Sequence, residues 1–84
     1  MENIRYHKNS VGVECYYAIG VIQDSNIKFV TGLEGSVAFW NDGESIRKFE
    51  DKQIVDEIVF GLNVNGYAAL VLEIPYYMQN ITNK

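Results

Sequence analysis

Val11-Gly12-Val13-Glu14-Cys15-Tyr16-Tyr17-Ala18-Ile19-Gly20-Val21-Ile22 is the stretch that decides the fold. Its odd positions, Val11, Val13, Cys15, Tyr17, Ile19 and Val21, are all apolar or aromatic, whereas the even ones are mixed. In a strand, alternate side chains share a face, so this period predicts a long strand with one core face. Gly20 is expected to mark a bulge, since so long a strand in a small sheet usually bends. Tyr16 and Tyr17 then fall on opposite faces, which would leave Tyr16 exposed or touching a partner.

Downstream, Gln23-Asp24-Ser25-Asn26 reads as a turn, because short polar side chains bond their own backbone. Residues 27–31 and 36–40 read as strands, separated by a turn at Gly32-Leu33-Glu34-Gly35. Asn41-Asp42-Gly43 is a hairpin signal, and residues 45–49 are either a short fourth strand or a helix start. Ile54, Val55, Ile58, Val59 and Leu62 then lie on one helical stripe. Glu50 or Asp51 stands at its N-terminus and Asn63-Val64-Asn65-Gly66 at its C-terminus. Ala68-Ala69-Leu70-Val71-Leu72 does not alternate, so residues 67–74 read as a buried, central strand ended by Pro75. If that strand joined parallel to its predecessor, its crossover would be right-handed.

The expected fold is therefore α+β. An antiparallel meander of three or four strands is followed by one helix packed on the sheet and a final buried strand. With 84 residues there is room for one domain, residues 1–10 and 76–84 being expected as loop or frayed termini. The chain is too apolar, at 48%, for disorder. Its longest apolar run, residues 67–72, falls far short of the ~18 residues a membrane span requires.

Seven basic residues against eleven acidic ones give a net charge of −4. Such a surface repels a phosphate backbone, and Arg5 and Arg47 lie far apart, so direct nucleic-acid binding is disfavoured. Basic protein partners suit it better. The single cysteine, Cys15, cannot form an internal disulfide, and the N-terminal octapeptide is polar and mixed in charge. Both features fit a cytoplasmic protein with neither signal peptide nor membrane anchor.

The catalytic inventory is thin. Cys15 lies on an apolar strand face, where a thiol behaves as a small hydrophobe, and His7 lies in a polar segment with no orienting partner in view. One His and one Cys exclude a zinc site within a monomer, and the carboxylates lack a calcium-loop pattern. No glycine-rich phosphate cradle is present. No catalytic residue, cofactor or metal is therefore expected.

Two features stand out. Six carboxylates between Asp42 and Glu57, countered by Arg47, Lys48 and Lys52, form either a solvated helix face or an acidic ridge for a basic groove. Six tyrosines and Trp40 give either sheet cover or interface anchors. Val21-Ile22-Gln23-Asp24-Ser25-Asn26, and Glu44-Ser45-Ile46 with its acidic sequel, resemble pieces of the phage uracil-DNA glycosylase inhibitors. They stand in reversed order, cover a minority of the chain and lack that family's leading helix, so no family follows from them. The resemblance does imply what an acidic chain of this length could do to a DNA-processing enzyme.

The expected function is a small, acidic, non-enzymatic protein-binding module of phage or mobile-element type. It would block a basic, nucleic-acid-binding surface of a larger protein through Glu44, Glu50, Asp51, Asp56 and Glu57, with Tyr16 or Trp40 as aromatic anchors. The alternatives are a homodimer or higher homo-oligomer, and a small enzyme or ligand carrier using Cys15, His7 or a carboxylate.

Overall fold

The structure is a computed structural model describing residues 4–84; the N-terminal reading above falls partly on residues 1–3, outside the described residues. Its elements are β1 (His7–Lys8), β2 (Glu14–Gln23), β3 (Asn26–Phe29), β4 (Gly32–Glu34), β5 (Val37–Phe39), α1 (Lys52–Val64) and β6 (Ala68–Pro75). The class is as the sequence implies: antiparallel strands, then one packed helix, then a final strand.

The centre of the sheet is β2, not the last strand. β6 pairs antiparallel along Cys15 to Ile22 of β2, so no parallel crossover exists. A strand has two edges, so β1 and β3 share the other one, at its opposite ends. Phe49 fills the gap between them by exchanging two 2.8 Å hydrogen bonds with Tyr17, and Val30 N–H donates to Ile19 C=O at 2.9 Å. Residues 45–49 are thus neither strand nor helix, but an extended segment held by isolated bridges at Ser45–Thr82 and Tyr17–Phe49.

Register runs unbroken through Gly20, and there is no bulge. Glycine serves another purpose there: a Cβ would stand 3.2 Å from Leu72 Cδ1 and 3.3 Å from Ile27 Cγ2. β2 starts at Glu14, later than the periodicity suggests. The preceding residues are turned by Asn9, whose Oδ1 accepts from the N–H groups of Val11 and Val13, and Val11 is exposed. At the other end, Asp24 and Ser25 both adopt positive φ, +51° and +65°. That makes the tight two-residue turn whose twist matches flanking strands.

The expected glycine turn at residues 32–35 is a strand for most of its length. β4 and β5 form their own two-stranded ladder, turning at Gly35 (φ +63°). Gly32 opposes Phe39, and a Cβ on it would lie 2.4 Å from Phe39 Cζ. The ring occupies the space a side chain would need. Gly32→Ala is accordingly expected to cost about 1–3 kcal/mol through overpacking. Thermal melts measure it, and an unchanged melting temperature would contradict the close approach.

One core lies between α1 and the odd face of β2. Tyr17, Ile19, Val21, Val30, Ala38, Phe49 and Val55 form it, with Ile58, Val59, Leu62 and Val71 packed against it. Asp51 caps α1 by accepting from Gln53 N–H at 2.9 Å. Covering both faces of β2 buries Tyr16 as well as Tyr17, which corrects the expectation of an exposed Tyr16. The second face is closed at that end by Tyr6, by Lys48 above the Tyr16 ring, and by the tail, whose Met78 C=O accepts from the Tyr16 hydroxyl. The tail is loop in conformation yet firmly tied, through Ile46 to Ile81 and Gly43 and Glu44 to Asn83.

Candidate functional site

The acidic residues do not form one ridge. Glu44 sits beside the tail, accepting from Asn41 Nδ2 at 3.3 Å. Glu50 accepts from Arg5 N–H at 2.8 Å, and Asp51 is used as the helix cap. Asp56 pairs with Lys52 one turn earlier, at 2.8 Å. That hydrogen bond, then the charge of Asp56, raises the pKa of Lys52. Glu57 alone of the five has no hydrogen bond or ion pair among the described residues, and it is exposed.

Nor do the two expected aromatic anchors reach outward. Tyr16 is wholly buried. Trp40 is half-buried against the core, its ring edge-on to Tyr67 at 5.0 Å and its Nε1–H donating to Gln23 Oε1 at 3.1 Å.

A different aromatic side chain is exposed on α1. Because Val55, Ile58, Val59 and Leu62 take the inner side of α1, Phe60 and Val64 are turned outward, 72% and 68% exposed. Helical spacing aligns Gln53, Glu57, Phe60 and Val64 on one stripe. Glu57 borders two depressions. One continues along the helix past Lys52, Gln53, Asp56 and Phe60. The other is a groove of about 370 Å³ between α1 and the β4–β5 hairpin, walled by Val37, Ala38, Ile58 and Leu62. Gly61, beside which a Cβ would meet nothing within 4 Å, leaves the groove open, and Val37 stands exposed on its far wall. This is a carboxylate without a counter-charge, set among exposed apolar groups.

Of the two groups singled out for catalysis, His7 is paired and Cys15 is buried. His7 does have an orienting partner, contrary to expectation: Glu73 of β6 lies 2.7 Å from its Nε2, and the imidazole stacks on the Tyr17 ring at 4.0 Å. Its Nδ1 is buried without a partner, while the side chain is 25% exposed and lines a depression with Arg5, Tyr6, Tyr17 and Glu50. The Cys15 thiol donates to Val13 C=O at 3.4 Å. Burial, and secondarily the Glu73 carboxylate, pushes its pKa up. Among the described residues no three metal-ligating side chains converge, and no helix is long and apolar enough to cross a membrane.

Cys15 should therefore resist a thiol reagent in the folded protein at neutral pH and react fully once unfolded; rapid labelling of the native state would contradict its burial. The raised pKa also fixes a sign. Above the thiol's ordinary value the unfolded chain loses its proton first, so folding stability falls as pH rises toward the folded value. Cys15→Ala removes this contribution, so its alkaline stability profile should fall less steeply than that of the wild type.

No known protein family, curated protein or solved structure matches the chain.

Proposed function

We propose that this chain is a non-enzymatic protein-binding module whose contact surface is the outer stripe of α1, with Phe60 as anchor and Glu57 as the charged contact. The observation that carries this reading is a phenylalanine 72% exposed in mid-helix beside an unpaired carboxylate. Aromatic side chains of this kind, once desolvated in a partner's pocket and ringed by polar contacts, dominate binding energy. An amphipathic helix face laid into a groove is a recurring mode of recognition.

The partner is a larger protein bearing an apolar groove rimmed by Lys or Arg, as the surfaces of nucleic-acid-handling proteins often are. The net charge of −4 favours encounter with it, and Glu57 fixes register. With most of the expected acidic contacts committed to internal partners, electrostatics here selects and steers, and the apolar stripe supplies the affinity. The buried Cys15 supports a binding role over a catalytic one.

Affinity capture with the tagged chain at rising salt tests the reading. A captured protein should weaken only a few-fold across the series and be lost with Glu57→Lys. Wild type and Glu57→Lys retaining the same proteins would count against it.

A further inference from the structure

We propose that the groove between α1 and the β4–β5 hairpin takes an extended segment of the partner, which adds to the outer edge of β5 as a third strand. A Lys or Arg of that segment meets Glu57. That the partner is a protein bearing basic groups rests on the function proposed for α1; the conformation of its segment follows from the groove.

The hairpin fixes which backbone groups are free. Glu34 pairs with Val37 across the two-residue turn Gly35-Ser36. That pair and Gly32–Phe39 therefore exchange hydrogen bonds, and Leu33–Ala38 between them does not. The N–H and C=O of Ala38 point away from β4, and no other group among the described residues bonds them. Ser36, Val37 and Ala38 all wall the groove. Successive side chains of a strand point to opposite faces, so a groove that touches all three runs along the edge of β5. The outer edges of the main sheet are treated differently. On β6 the Asn63 carboxamide bonds the N–H and C=O of Ala69, at 2.8 and 3.1 Å. On β3 Asn83 does the same for Phe29, at 2.9 and 2.8 Å. Each amide imitates a neighbouring strand and so protects its edge. Ala38 has no such cover.

Across the groove, Glu57, Gly61 and Asn65 follow at four-residue spacing, as one ridge of α1. Glycine is unfavourable inside a helix, and Gly61 has neither a positive φ nor a neighbour within 4 Å of where its Cβ would stand. Folding gives no reason for it. The groove does, since a side chain there would stand in the path of an added strand. Ile58 and Leu62 supply an apolar lining, and the exposed Val37 an apolar contact on the rim. Strand addition of this kind takes its affinity from the backbone and its specificity from alternate side chains. A helix in the same groove has no free backbone groups along its length and would leave those of Ala38 unmet. The unpaired carboxylate of Glu57 selects a basic residue beside them.

Selection of a displayed random-peptide library on the full chain, followed by titration of a selected peptide into the isotope-labelled protein, tests this. Selected peptides should carry Lys or Arg among alternating apolar residues, and should slow hydrogen exchange of the Ala38 amide at least about tenfold. Methylating one alternate set of the peptide's amides should abolish binding. Gly61→Gln, which fills the groove while favouring helix, should bind at least about tenfold more weakly and melt roughly 4–8 °C higher. A selection that yields no binder, or a bound peptide that leaves Ala38 exchange unchanged, overturns the proposal. So does concentration-dependent protection of Ala38 in the chain alone, which would make a second copy the occupant. Peptides lost with Phe60→Ala but kept by Gly61→Gln would overturn the groove while leaving the α1 stripe as the contact surface.

Discussion

Asn83→Ala is expected to destabilise the fold by about 3 kcal/mol. Asn83 is only 5% exposed, a buried polar side chain. Its Oδ1 accepts from Phe29 N–H at 2.9 Å, while Nδ2 donates to Phe29 C=O at 2.8 Å and to Asn41 C=O at 3.2 Å. Alanine would strand one donor and two acceptors, each costing roughly 1–3 kcal/mol where water cannot reach it, and less where it can. It would also loosen the tail whose backbone holds Gly43 and Glu44.

A domain of this size has a total stability of about 4–12 kcal/mol, so the loss would be a large fraction of it. The melting temperature should fall by roughly 12–24 °C. Asn63→Ala provides the comparison. It removes a similar pair of bonds from Ala69, but at an exposed position where water replaces them, so about 1 kcal/mol is expected. Urea unfolding of both variants checks the contrast; an Asn83→Ala protein as stable as the wild type would contradict the clamp.

Much of this fold is legible in local pattern. The odd positions of β2 name the core face on which Tyr17, Ile19 and Val21 lie. The helical stripe through Val55, Ile58, Val59 and Leu62 follows from spacing, although Ile54, which the same spacing assigns to it, is 47% exposed. Spacing leaves the cap to Glu50 or Asp51, and Asp51 takes it. What escaped depends on residues distant in sequence. Tyr16 is buried because Tyr6, Lys48 and the tail converge on it, and no period in residues 11–22 records that. Gly32 lies in a strand because Phe39 fills the space above it, whereas two glycines in four residues argue locally for a turn. The apolar run in β6 reflects α1 on one side and an aliphatic sheet face on the other, not a central position.

The site divides in the same way. Capping by Asp51 and the pairing of Lys52 with Asp56 are both local effects that disperse the acidic segment before any partner arrives. Phe60 could have been found. The arithmetic that points Val55 and Leu62 inward points Phe60 and Val64 outward, and an outward phenylalanine on an amphipathic helix is itself a signal.

Phe60→Ala is expected to weaken binding by about 30-fold or more, the loss of roughly 2 kcal/mol that accompanies truncation of a central aromatic anchor. Folding should be almost untouched, within about 0.5 kcal/mol, because the ring is exposed and alanine favours helix. Binding and stability therefore separate at this position, as they would not at a core residue. Isothermal titration of wild type and Phe60→Ala against the protein captured by the wild type is the most direct measurement. The account predicts a dissociation constant raised about 30-fold at an unchanged melting temperature. Equal dissociation constants for the two proteins, or a wild type that captures nothing Phe60→Ala does not, would contradict it.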